Sequence, residues 1–288
     1  MKEGDCVKSY KHSKYSYVTI VEIPKDEIQL IDMDLCAEPK QTLNKYYEAC
    51  LVKPAIICNG GFFALSTGET CFNYTDDGKI ISTHQGTENG MGVVDGKLTY
   101  GTTGKLPFTD FISAYPTLIE NGKRSNITMA QEINYRARRT ILAYTETIVY
   151  IIAIESPGMN FYEMQNMLME MNLDYAINLD GGGSTKILEN GKSITSTLYN
   201  RAVDNVIAFY LKPKTIYRVQ AGAFSFKKNA ENLLKQIHAL GGTYTSAYIR
   251  KVGLYYKVQM GAFSVKANAT RMLNDLKSKG FNAFITTA

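Results

Sequence analysis

Between Tyr17 and Tyr210 the apolar residues fall in short runs separated by Asp-Gly or Asn-Gly pairs. DDGK (Asp76–Lys79), VDGK (Val94–Lys97), ENGK (Glu120–Lys123) and a second ENGK (Glu189–Lys192) each place such a pair between apolar stretches. These pairs tolerate the positive φ angles of tight hairpins, so the pattern predicts a mainly antiparallel sheet. One stretch has helical spacing instead. After Asn160 the residues Phe161, Met164, Met167, Leu168 and Met171 form a stripe, and Glu163 stands where a capping box needs it. The strand before this helix ends at Glu155 in AIES, and the one after it ends at NLDGGGST (Asn178–Thr185). If both run parallel around the helix, Glu155 and Asp180 emerge at one sheet edge.

After residue 215 the pattern changes. YRVQAGAF starts at Tyr217 and YKVQMGAF at Tyr256, with Gln220 matching Gln259, Phe224 matching Phe263 and Gly241 matching Gly280. In each copy strand alternation gives way to helical spacing, such as Ala230, Leu233, Leu234 and Ile237, and the helix stops at glycine. A further strand follows, in TYTSAYIR and in NAFITT. The expected fold class is therefore α+β. A large mixed, mainly antiparallel domain with few helices (1–212) precedes a small βαββαβ, ferredoxin-like or RNP-like domain (213–288) with one sheet face open.

Charge separates the same two regions. Residues 215–288 hold 11 Lys+Arg and 2 Asp+Glu, or +9; subtracting from 32 and 27 leaves 21 − 25 = −4 for the rest. A basic module suits an anionic partner. An RNA-binding sheet of this topology would carry exposed aromatics in an RNP1-like stretch, which is missing, so no nucleic acid partner is expected. The run IVYIIAI (Ile148–Ile154) is far short of the roughly 18 apolar residues of a membrane span. The N-terminal residues lack the apolar stretch of a secretion signal. The expectation is synthesis in the cytoplasm and, for any action outside it, release by lysis, as in phage lysis or a sporulating mother cell. The five cysteines (6, 36, 50, 58 and 71) show no CxxC pair and suggest mostly buried free thiols. His12, His84 and His238 are scattered. No metal ligand set or cofactor is predicted, although the pattern is compatible with a divalent cation.

Candidate chemistry centres on NLDGGGST. Three residues without Cβ after a carboxylate let a ligand approach the backbone, free N–H groups for an oxyanion and permit positive φ. A plain turn would use them equally well, and neither GxxxxGK[ST] nor GxGxxG is present. NGGFF (Asn59–Phe63) is a second glycine turn after an apolar run, ARRTIL carries Arg138 and Arg139 into a strand, and NRAVDN carries Arg201, Asp204 and Asn205 into another.

In this order, NGGFF, Arg139-Thr140, NLDGGGS and Arg201-x-Val203-x-Asn205 make the large domain resemble the phosphodiester glycosidase family. The resemblance implies hydrolysis of a bond between a sugar and a phosphate. Asp180, with Glu155 as its possible partner, would be acid, base or nucleophile, and Arg139 and Arg201 would clamp phosphate. Asn59, Gly60, Gly61, Thr140, Gly181, Gly182, Gly183, Ser184 and Asn205 would bind substrate. The repeated VQ-x-GAF signatures resemble the SPOR domain family, which binds peptidoglycan glycan strands. That implies a sugar site on the open face with Gln220 and Gln259, flanked by Arg218 and Lys257. The expected partners are peptidoglycan glycan and a phosphate-linked wall glycan. Two other readings share the anchor: a lytic enzyme acting on peptidoglycan itself, and a binder of wall polysaccharide without catalysis.

Overall fold

The computed structural model describes residues 7–36, 40–213 and 215–287. The chain forms two compact units, the first ending at Lys212 and the second beginning at Pro213. In the first, a seven-stranded sheet runs in the order Lys8–Lys11, Val18–Pro24, Ile148–Met159, Ala137–Tyr144, Tyr175–Asn178, Thr117–Glu120, Lys123–Arg124. All of its neighbours pair antiparallel.

Strand Ile148–Met159 is central because its residues Val149–Ile154 are apolar on both faces. Val149, Ile151 and Ala153 enter one core cluster, and Tyr150, Ile152 and Ile154 enter the other. Full burial of each Ile is worth roughly 1.5–3 kcal/mol. The second cluster is closed by helix Phe161–Met169, whose Phe161, Met164, Met167 and Leu168 are buried. Its capping box forms as expected: the Glu163 N–H donates to Asn160 Oδ1 and the Asn160 N–H donates to Glu163 Oε2, both at 2.9 Å.

Two five-stranded sheets complete the first cluster. One runs Lys192–Ser193, Ile187–Glu189, Ile56–Asn59, Asn205–Leu211, Ile28–Leu35; the other runs Lys79–Ser82, Tyr74–Asp76, Asp110–Ser113, Asn89–Val94, Lys97–Thr102. Met33, Ile56, Ile207, Met91, Ile112, Val149 and Ile177 meet there, so three sheets share one core. All four expected hairpins are present. Asp77-Gly78, Asp95-Gly96, Asn121-Gly122 and Asn190-Gly191 have both φ angles positive, the type I′ signature. Strands Ile148–Met159 and Tyr175–Asn178 are parallel to each other, with Ala137–Tyr144 inserted between them. Glu155, Arg139 and Asp180 therefore leave one edge of the sheet.

The second unit is βαββαβ. Its sheet runs Tyr248–Val252, Tyr255–Phe263, Tyr217–Phe224, Phe284–Thr287, backed by helices Lys227–His238 and Lys266–Ser278. The strand expected over TYTSAYIR starts only at Tyr248. Gly242–Ser246 forms a 3-10 turn, entered through positive φ at Gly241 and Gly242, which drops Tyr244 into the core. Cys36, Cys50, Cys58 and Cys71 are free thiols; Cys6 lies outside the described residues.

Candidate active site

Asp180 follows strand Tyr175–Asn178 and sits where two sheets meet. The Leu179 N–H donates to Thr140 O in the seven-stranded sheet at 2.9 Å, and the Asp180 N–H donates to Gly60 O, just past strand Ile56–Asn59, at 3.1 Å. Asn59 closes the joint. Its Nδ2 donates to Asp180 O at 2.8 Å, while Oδ1 accepts from Thr140 Oγ1 at 2.8 Å and from the Lys186 N–H at 3.2 Å. Asn205 braces the other glycine turn in the same way. Its Oδ1 accepts from the Gly61 N–H at 2.6 Å, and its Nδ2 donates to Thr70 Oγ1 at 2.9 Å. Asn59, Thr140 and Asn205 are all buried. The structure thus places these three side chains as supports of the turns, with their hydrogen bonds directed to protein.

The glycines have separate causes. A Cβ on Gly60 would collide with Asn205 Oδ1, and one on Gly61 would press on Ile112 at 3.1 Å. A Cβ on Gly181 would run into the carbonyl oxygen of Arg138, so the turn passes hard against the neighbouring strand. Gly182 takes φ +59°, and a Cβ on Gly183 would meet the Arg201 guanidinium at 2.9 Å. Residues Gly182–Ser184 form one 3-10 turn.

The electrostatics converge on the Asp180 carboxyl. Burial raises its pKa; the Ser184 hydroxyl, the Gly181 N–H and the charges of Arg201 and Arg139 pull the other way. Arg139 is buried and fixed. Its Nη2 donates to Ile133 O at 2.6 Å and Tyr135 O at 2.9 Å, and the guanidinium lies 4.5 Å over the Phe161 ring, while Nε has no partner among the described residues. Burial lowers its pKa, but an arginine stays charged. Arg201 is exposed and free to meet an anion. A carboxyl between two cations, one fixed and one exposed, suits a reaction in which negative charge leaves the reacting centre.

Glu155 does not join Asp180. Its Oε2 accepts from Lys11 Nζ at 2.8 Å and its Oε1 from the Ser196 N–H at 2.5 Å. It lines a neighbouring cleft of about 540 Å³ with Lys11, Tyr17, Arg138, Ser196 and Tyr199. Arg138, one residue from Arg139 and therefore on the opposite face, donates through Nη2 to Thr185 O at 2.9 Å and lies 4.1 Å from the Tyr199 ring. Strand alternation could have separated the two arginines. The distant Lys11 had no local signal.

A group of three carboxylates, Asp76, Asp77 and Asp110, has oxygens within 4.8 Å of one another. No local pattern points to it, because Asp110 arrives from another strand. Burial, then the charge of Asp34, brings the Asp76 pKa up to about 6.

On the small sheet Gln220 and Gln259 face each other across central strands, Gln259 Nε2 donating to Gln220 Oε1 at 3.2 Å. The register extends this row to Tyr248 on one side and Phe284 on the other, both exposed. Arg218, opposite Thr286, and Lys257, opposite Arg250, share the face by alternation. The outer aromatics carry no signal in the sequence, because only register places them beside the glutamines. Among the described residues no helix is long and apolar enough to cross a membrane.

A family model for phosphodiester glycosidases matches residues 53–210, and one for SPOR domains matches residues 213–287. Mouse N-acetylglucosamine-1-phosphodiester alpha-N-acetylglucosaminidase is 29% identical over 161 residues, 46% of this chain and 31% of that protein. The chain thus spans about a third of the length of the curated relatives it matches. Among solved structures, the catalytic domain of the zebrafish enzyme of that name, auto-inhibited by pro-peptide, aligns with TM-score 0.56 at 19% identity, covering 74% of this chain and 86% of its own. A hypothetical protein from Synechocystis aligns with TM-score 0.60 at 14% identity, covering 72% and 61%. At those identities the structures share a fold.

Proposed function

From a chain that belongs to the phosphodiester glycosidase family and carries a SPOR peptidoglycan-binding domain, we propose a wall-directed hydrolase that cleaves a sugar from a phosphodiester. The observation that carries this reading is the Asp180 carboxyl, held on a glycine turn between the charges of Arg139 and Arg201. The group that departs from the sugar is a phosphate monoester, a stable anion that needs neutralisation more than a proton. One carboxylate and two arginines are enough. Asp180 takes a proton from water, the water oxygen bonds to the anomeric carbon, and the bond from that carbon to the phosphate oxygen breaks, its electron pair leaving with the phosphate. Arg201 meets the departing oxygens directly, and Arg139 acts as fixed charge from beneath. The raised pKa of Asp180 makes it a stronger base than an ordinary carboxylate. The chemistry does not require Glu155 near Asp180, in keeping with its place in the next cleft.

The test is sugar release from an N-acetylglucosamine-1-phosphodiester by the full chain and by Asp180→Asn. Hydrolysis by the parent and its loss in the variant support the reading. Equal turnover of both, or reducing ends released only from phosphate-free peptidoglycan, would overturn it.

A further inference from the structure

Close to the Asp180 turn lie three aromatic rings, of which Tyr115 packs against the second core cluster and the other two against none. Phe62 and Phe72 are half-buried and belong to none of the hydrophobic clusters. Their ring centroids are 5.6 Å apart, and Tyr115 stands 4.8 Å from Phe72 and 6.1 Å from Phe62. Three separate segments bring these rings together, and each is tied to the Asp180 turn. Phe62 is two residues beyond Gly60, whose carbonyl accepts from the Asp180 N–H. Tyr115 N–H donates to Asn178 O at 3.3 Å, and Asn178 Nδ2 donates back to Tyr115 O at 2.8 Å. Phe72 follows Cys71, whose thiol pKa is raised by burial and by the Asp180 charge.

Phe72 is also held in an unfavourable backbone conformation. Its φ is +67°, a region that costs a bulky residue on the order of 1–3 kcal/mol. The surroundings fix it there. The Phe72 carbonyl accepts from Ser82 Oγ, and the next residue, buried Asn73, is bonded on every side: its N–H to Ser113 Oγ at 2.9 Å, its Nδ2 to Thr87 O at 2.9 Å and its Oδ1 from the His84 N–H at 3.1 Å. A partly exposed ring held in a strained position is placed for a ligand.

We propose that Phe62, Phe72 and Tyr115 form the platform on which the sugar ring of the substrate stacks, with Phe72 at its centre. The proposal rests on the reading of the reaction given above. A pyranose offers a C–H face to an aromatic face and hydroxyls around its rim. The Tyr115 hydroxyl donates to the Glu132 carboxylate, which disfavours phosphate on that side, while the His84 ring stands edge-on to Phe72 at 5.5 Å. The exposed cation is Arg201, over Gly183. The substrate is therefore oriented, sugar toward Phe72 and phosphate toward Arg201, with the scissile bond at Asp180.

The chain contains no tryptophan, so Phe72→Trp places a single reporter on the platform. Titrated into the full chain, methyl N-acetyl-α-glucosaminide should shift its emission saturably and inorganic phosphate should not. A tryptophan at fully exposed Leu51 should respond to neither. As an independent measurement, Phe72→Ala should raise KM for the glycosyl phosphodiester at least tenfold. If the diester is cleaved but the Phe72→Trp reporter ignores the sugar and Phe72→Ala leaves KM unchanged, the platform is wrong while the reaction stands. A saturable sugar response without any diester cleavage would instead keep the platform and reject the reaction. A response to phosphate alone would reverse the proposed orientation and overturn it.

Discussion

Gly183 lies directly against the guanidinium of Arg201: a Cβ there would approach Cζ, Nε and Nη2 to 2.9 Å. The obstacle is the end of an exposed, flexible side chain, so Gly183→Ala should fold normally and displace the arginine. Its melting temperature is expected to match the parent, while kcat/KM for a glycosyl phosphodiester falls at least roughly tenfold, about 1.4 kcal/mol of transition-state stabilisation. Gly181→Ala meets the backbone carbonyl of Arg138, which cannot swing away, and should lower both activity and melting temperature. Identical behaviour of the two variants would refute this division of labour.

Asp180 opposes stability when ionised. Its folded pKa is raised, so the native state binds its proton more tightly than the unfolded chain does. The cost is absent below the unfolded pKa and complete above the folded one. Asp180→Asn should therefore melt above the parent at pH 8, with the difference shrinking toward pH 4, while hydrolysis drops about a hundredfold or more. Thermal melts across that range, paired with activity, decide the point.

A second pH effect resides away from the site. Burial, and then the charge of Asp34, brings the Asp32 pKa from the ordinary 3.8 up to about 7. The sign is the same: stability is lost as pH rises from near 4 through 7. Melting of the parent should decline between pH 5 and pH 8, and Asp32→Asn should flatten that decline. An unchanged slope would show that other groups govern it.

The small sheet predicts its own footprint. Tyr248 and Phe284 flank the glutamine pair, so Tyr248→Ala and Phe284→Ala should each weaken co-sedimentation with purified peptidoglycan glycan. Phe226→Ala, exposed at the start of a helix, should not. Equal retention of all three would place the glycan elsewhere.

Elements set by local chemistry were readable in advance. Each type I′ turn needs only an Asn-Gly or Asp-Gly pair, the helix at Phe161 announces itself through Asn160 and Glu163, and the repeat yields βαββαβ. The glycine turn that follows Asp180 was legible for the same reason. What escaped depends on partners far apart in the chain. Asn59 and Asn205 looked like ligand-binding amides until their protein partners, 121 and 144 residues away, came into view. Glu155 reached the expected edge, but Lys11, 144 residues distant, drew it into another cleft. Phe72, and Phe62 even within NGGFF, carry no mark in the sequence of the stacking proposed for them, because hydrophobicity alone does not distinguish a ring that packs from one that waits.

Asn59 gives the molecule a mechanical property. Its side chain, rooted in one sheet, holds the backbone of Asp180 and the hydroxyl of Thr140 in another. Any sliding of the two layers would be felt first at the Asp180 carboxyl. The converse also holds, since whatever grips that carboxyl fastens the layers together. A ligand bound at Asp180 should slow hydrogen exchange throughout strands Ile56–Asn59 and Ala137–Tyr144, and a substitution at Asn59 should loosen the fold and weaken the proposed hydrolysis in the same stroke.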